Sequence, residues 1–225
     1  MRLLQQKLAI AALFFSFLIL MLIFCQIGFA QGNEGKFGIG AKVSYLNFSD
    51  DDYSIFGTKI NVEVDDATGF GANLTFFVSE EFSLEVSVDY IKTDVTLSAL
   101  GASGDAGEIT QIPFLLSGRA HIPTNSKVTP YFSFNLVYNF NDFDQNDTTI
   151  EFIYGPGAKV DIDNSLGFGV GAGVEIFLTE KAALNLDVKY IWNEFEASVN
   201  VPGFTDETFE INPFILGLGI KYYFN

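Results

Sequence analysis

The sequence predicts an all-β fold, an eight-stranded antiparallel transmembrane up-and-down β-barrel of the outer-membrane type. Three observations predict it: eight stretches alternate apolar residues with small or polar ones, the connections alternate between short and long, and acidic charge gathers in the long connections. Composition agrees. The 225 residues carry a net charge of -16, yet mean hydropathy is +0.27 and there are 25 Phe and 9 Tyr. An acidic chain this greasy must keep its charge and its apolar surface in separate places. Only 12 Lys and Arg are spread along the length, too thin a basic balance to neutralise phosphates, so no nucleic acid is expected as a partner.

The first thirty residues are a segment of their own. Arg2 and Lys7 make a basic start, Leu8 to Cys25 is an unbroken apolar run, and Gly28 and Ala30 are small residues before a polar flank. This is the pattern of a signal peptide cleaved after Ala30, which leaves 31–225 as a single barrel domain. A retained anchor is the alternative, because the run approaches the roughly 20 residues that span a bilayer. Cys25 suggests a lipoprotein site, but bulky Phe24 precedes it. After cleavage the chain contains no cysteine, so it suits an oxidising compartment without using disulfides.

Beyond residue 30 no segment carries a sustained apolar stripe at helical spacing, and period two recurs instead. In "KFGIGAKVSYLNF", Phe37, Ile39, Ala41, Val43 and Tyr45 share one face. In "TGFGANLTFFV" the face is Phe70, Ala72, Leu74, Phe76 and Val78. The alternation continues through Phe82 to Tyr90, Ile112 to Ile122, Pro130 to Phe140, Leu166 to Leu178 and Leu184 to Trp192, and ends in "PFILGLGIKYYFN". Short turns are expected at Ser79 to Glu81, Pro123 to Lys127 and Thr179 to Lys181. Long polar links are expected at Ser49 to Ala67, Thr93 to Glu108, Asn141 to Asp163 and Asn193 to Thr208.

A sheet can cross hydrocarbon only when its last strand closes on its first and its apolar side chains face lipid. Phe224, Tyr222, Ile220, Leu218, Leu216 and Phe214 supply such a face on the terminal strand, and Tyr222 and Phe224 form a candidate assembly signal for the barrel-assembly machinery. Aromatic residues fall at both ends of the lipid face, with Tyr45, Tyr90, Tyr138 and Trp192 near the long links and Phe82 and Tyr222 near the short turns. A soluble lipocalin-like barrel would reverse the faces. It would expose a row of ions with the small residues and require more apolar bulk than one small barrel can hold.

Several stretches resemble the OmpW family of small outer-membrane proteins. They are "QIPFLLSGRAHIPTNSKVTPYFSFNLVYNFNDF" from Gln111, the glycine-rich "DNSLGFGVGAGVEIFLTEKAALNLDVKYI" from Asp163, and the closing "INPFILGLGIKYYF" from Ile211. The chain departs from the pattern in ending on Asn225 after its final Phe, and its first two hairpins match only in alternation. The resemblance implies an eight-stranded barrel with a narrow, partly apolar lumen that passes small hydrophobic compounds.

The lumen is also legible from the alternation itself. Lys42, Glu85, Arg119, His121, Glu175, Asp187, Lys189 and Lys221 point inward in its lower and middle parts, where opposite charges can pair into a polar plug. Nearer the long links the inward residues are Leu46, Phe48, Ile91, Pro113, Leu115, Val137, Ile191, Ile211 and Ile215. These form either a pocket for a small hydrophobic ligand or space-filling packing, since eight strands leave room for side chains or at most one small ligand.

Catalysis finds less support. A nucleophile needs a base, and the single histidine, His121, has no Ser-His-acid constellation around it that the sequence assembles. "DDD" at Asp50 and "NDFDQND" at Asn141 offer hard oxygens but lack the EF-hand spacing, so neither a metal nor a cofactor is assigned, and calcium bridging to lipid phosphates is left as a possibility of the loops alone. Three functions follow: passive uptake of small hydrophobic molecules, a structural or adhesive barrel whose acidic loops bind a partner, and a lipid-modifying enzyme. Expected surroundings are outer-membrane lipids and lipopolysaccharide, reached through the export machinery.

Overall fold

A computed structural model of the chain describes residues 35–48, 51–55, 58–99, 102–201 and 207–224. The segment expected to be a signal peptide lies outside the described residues. Eight antiparallel strands form a closed ring: β1 (Phe37–Asn47), β4 (Ala67–Phe77), β5 (Phe82–Ala99), β6 (Ala102–His121), β7 (Val128–Gln145), β9 (Ser165–Phe177), β10 (Ala182–Val199) and β12 (Phe214–Phe224). The ring closes where β1 pairs β12, from Phe37 opposite Phe224 to Asn47 opposite Phe214. That seam satisfies the edge groups which an open sheet would leave bare in hydrocarbon. No described helix is long and apolar enough to cross a membrane.

Alternation sorts the side chains as a membrane requires. Phe70, Phe132, Leu166 and Leu218 stand outward and exposed, while Thr75, Asn135, Glu175 and Tyr223 on the same strands are buried inside. The aromatic residues at the rim contact one another, with Phe168 stacked on Trp192 at 5.3 Å between centroids and Tyr190 edge-on to the same indole at 5.0 Å. At the opposite end the turns are closed by short side chains. Thr179 Oγ1 accepts from the backbone N–H of Ala182 at 2.9 Å, and Thr124 Oγ1 donates to the carbonyl of Val128 at 2.5 Å.

The four long links differ from the polar loops expected of them. Most of the segment Thr93 to Glu108 is strand, with β5 and β6 still paired at Ala99 opposite Ala102. In the first link, β2 (Asp51–Ile55) and β3 (Thr58–Val64) make a hairpin that joins β5. In the third, α1 (Asp147–Tyr154) is followed by β8 (Val160–Ile162), and in the last β11 (Glu207–Glu210) pairs the upper end of β10. The physical reason lies in the inward positions. Val64, Val95, Leu97, Ile109 and Phe195 keep the two-residue period going past the aromatic rim, so the sheet continues wherever it still has an apolar face to bury. A bulge between Val95 and Thr96 bends this extension. Gly107 lies opposite, at φ 136°, where a Cβ would come within 2.2 Å of the Asp144 carbonyl.

Helix α1 starts at Asn146, whose side chain accepts from the N–H of Thr148 at 3.2 Å, and stops at Gly155. It drops Ile150 onto the extended sheet, among Val95, Leu97, Ala106 and Ile109. The barrel thus carries a folded apolar storey above the membrane-spanning ring.

Candidate functional site: an apolar cavity over an ion-paired plug

In the lower lumen, charge joins both neighbouring strands and strands further round the ring. Arg119 on β6 pairs with Glu85 on β5 and lies 3.4 Å from Glu175 on β9, while Lys221 on β12 reaches Glu85 at 2.7 Å and Glu175 at 2.6 Å. Tyr223 OH donates to Glu175 at 2.8 Å and Thr75 Oγ1 to Glu85 at 2.9 Å. The Arg119 guanidinium also lies over the Tyr131 ring, 4.6 Å from its centroid. Each of these ions is nearly inaccessible to solvent, so the network stands only because each charge has opposite partners and added hydrogen bonds.

One level higher, Lys42 pairs with Asp89 at 2.8 Å and Lys189 with Asp187. Asp89 fits there because its neighbour is Gly71, where a Cβ would fall 1.9 Å from the Asp89 carboxylate. Four cations and four carboxylates therefore face one another, and the plug is neutral.

His121 lies beneath, at the short-turn end. Its Nε2 is 2.8 Å from Ser83 Oγ, and its ring sits between Phe77 and Tyr131 at centroid distances of 4.9 and 5.4 Å. Alternation alone did not show this Ser–His contact, because it depends on the pairing of β5 with β6, which sets Phe82 opposite Ala120. Among the described residues no acid accepts from Nδ1, which has no hydrogen-bond partner, and both Ser83 and His121 are buried.

Above the plug the lumen turns apolar. A lower chamber of about 570 Å³, its open part included, is lined by Leu46, Phe48, Ile91, Pro113, Leu115, Val137, Ile191, Ile211 and Ile215, with Lys42, Asp89, Lys189 and Asn193 also on its wall. The nine apolar residues singled out in the sequence thus come together around one space. An upper chamber of about 920 Å³, likewise counted with its open part, lies within the extended sheet and is walled by Val62, Val95, Leu97, Ile109, Ile150 and Val160 among others. Phe48, Gln111, Phe195 and Ile211 line both chambers. The sequence reading missed the upper chamber entirely. Its signal was the continued alternation inside segments whose Asp and Asn content suggested plain loops. Asp89 was missed as well, although it lies four residues beyond Glu85 on the same inward face. Tyr222 and Phe224 stand outward on the closing strand, opposite Ile39 and Phe37.

A closed eight-strand ring with an outward apolar belt has close counterparts among known proteins. Residues 16–224 match the model of the outer membrane protein beta-barrel domain. The chain belongs to this outer-membrane barrel family. Its place is the bacterial outer membrane. The solved structure of the outer membrane protein OprG from Pseudomonas aeruginosa is similar at 22% identity, covering 86% of this chain and 98% of that one, with a TM-score of 0.71. The outer membrane protein AlkL is similar at 20% identity over 88% of this chain and 94% of that one, TM-score 0.64. Outer Membrane Protein W from E. coli follows at 15% identity, with 87% of this chain and 100% of that one covered and a TM-score of 0.57. These likenesses show the fold of this family member, that of the small OmpW-type barrels. No curated protein sequence matches the chain.

Proposed function

We propose that this barrel gives small hydrophobic molecules a passive route across the outer leaflet. The observation that carries the reading is the pair of apolar chambers sharing Phe48, Phe195 and Ile211, stacked over a plug that seals the polar axis. An apolar solute is held away from the polar surface by chamber walls that gain roughly 25 cal/mol for each Å² of apolar area they cover. The same lining offers little to ions or sugars, and the plug gives them no through path. Lipopolysaccharide and lipids surround the outward belt, and the barrel-assembly machinery reads the terminal strand with Tyr222 and Phe224. Uptake of a small apolar fluorescent probe by cells with and without the protein tests the reading. Faster entry with the protein is expected, and equal rates would refute it.

A structural or adhesive role rests on a different observation. Asp94, Glu108 and Asp144 stand side by side across β5, β6 and β7, with Lys92 on Glu108 as a nearby cation. Such an acidic outward row suits a cationic partner surface, and loss of cell adhesion on its neutralisation is the corresponding test.

A further inference from the structure

We infer that Phe48 and Phe195 select molecules by girth, admitting slender apolar chains from the upper chamber to the lower and turning back wide bodies of equal carbon count. The inference rests on the uptake reading above and narrows its substrate class to unbranched chains over cages and fused rings.

Four of the described side chains line both chambers, and a side chain that borders two spaces stands between them. They are Phe48 just past β1, Gln111 on β6, Phe195 on β10 and Ile211 just before β12. In the ring β1, β12 and β10 are consecutive, while β6 lies opposite β12, so Gln111 is set across the lumen from the three apolar residues. The four enclose a waist. Each is buried, and Phe48, Phe195 and Ile211 belong to one packed cluster with Leu46, Val64, Ala67 and Ile91.

Three members of the waist are tied to the sheet. The Ile211 N–H donates to the Asn193 carbonyl at 3.1 Å, Phe195 sits level with Phe209 where β10 pairs β11, and Gln111 Nε2 donates to Asn141 Oδ1 at 3.4 Å. Phe48 differs, because it lies one residue beyond the pairing of β1 with β12, which ends at Asn47. Its backbone N–H is held by the Asp66 carboxylate, which also accepts from Tyr45 OH and from Asn47 Nδ2 at 2.8 Å. Asp66 lines neither chamber, so it acts on the waist only as a positioning residue for Phe48. Close-packed side chains yield little. A body wider than the waist forces them off their preferred rotamers, whereas an extended chain threads past.

The test measures entry of n-decane and of adamantane, hydrocarbons of equal carbon count but different girth, into cells carrying equal amounts of folded barrel. Entry into cells without the protein is subtracted. Decane is expected to enter about tenfold faster than adamantane, the scale of displacing packed side chains. Phe195→Ala and Phe48→Ala, tested separately, should each bring that ratio towards one, and either variant serves if the other does not fold. Asp66→Ala should move the ratio the same way although the chamber walls are intact, and a ratio equal to wild type would remove its positioning role. Equal entry of the two hydrocarbons through the wild-type barrel overturns this inference while leaving apolar uptake standing. A ratio unchanged in both phenylalanine variants also overturns it. Absence of protein-dependent entry for either hydrocarbon removes the uptake reading itself.

Discussion

Lys221 Nζ lies 2.7 Å from Glu85 Oε2, although β12 and β5 are separated in the ring by β1 and β4. The contact spans the lumen. Both side chains are almost wholly inaccessible to solvent, so it cannot be treated as a surface ion pair of negligible worth.

Removing one partner should therefore be costly. Lys221→Met leaves Glu85 and Glu175 short of one cation, and a loss of about 3–5 kcal/mol is expected from breaking a buried pair on one side. Denaturant titration of the barrel refolded into lipid vesicles measures it. A change below about 1 kcal/mol, the level of an exposed pair, would mean that the plug is hydrated and loose.

A charge on the lipid face should be costly too, because hydrocarbon offers it no partner. Val170 stands outward in β9, beside Phe134 on β7 and Tyr190 on β10. Val170→Arg places an ion against hydrocarbon, costing about 2–4 kcal/mol near the bilayer midplane. Less folded barrel, seen as loss of the heat-modifiable band, is expected. Phe224→Asp lies nearer the interface, and its cost should be smaller, about 0–1 kcal/mol.

Helix α1 supplies a pH test outside the membrane. Asp147 accepts from Lys159 Nζ at 2.7 Å, a link from α1 to the residue before β8, and this bond holds the carboxyl below its ordinary value. A depressed carboxylate contributes stability above its unfolded pKa, about 3.9, and loses it as pH falls through the lower folded value. The protection of the Ile150 amide, taken relative to intrinsic exchange, should fall on acidification through that window, and Lys159→Gln should weaken this pH dependence, the bond from Gln145 to Asp147 remaining. Identical profiles for the two proteins would show that the link does not hold the helix.

Orientation is open to chemical labelling, because Cys25 is the single cysteine and lies within the expected signal peptide. Phe152 on α1 is 80% exposed, and Asn125 sits in the short turn at the other end. A membrane-impermeant thiol reagent on intact cells should label Phe152→Cys and spare Asn125→Cys. The opposite pattern would invert the barrel.

The ring and the inward set were legible because period two is a covalent fact of extended chain: once Phe37 faces out, Lys42 and Leu46 face in. What alternation does not encode is register. That Lys221 meets Glu85, or Ser83 meets His121, depends on which residues the ring sets level, and no local pattern states it. The links were misread for another reason. In Thr93 to Glu108 the outward Asp94 and Glu108 sit among Thr, Ser, Ala and Gly, while inward Val95, Leu97 and Ala106 carry the fold. Helix α1 had its cues in Asn146 at one end and Gly155 with Pro156 at the other, but eight residues are too short for apolar periodicity to show.

The most direct measurement is apolar probe uptake per amount of folded protein in Leu115→Asp and Ile191→Asp. Both residues line the lower chamber and touch no lipid. A carboxylate there removes apolar wall and places in the chamber a charge that, unlike Asp89 and Asp187, has no paired cation, so uptake per folded barrel should fall about tenfold or more. Uptake equal to wild type at equal folded protein in both variants would contradict a route through the chamber.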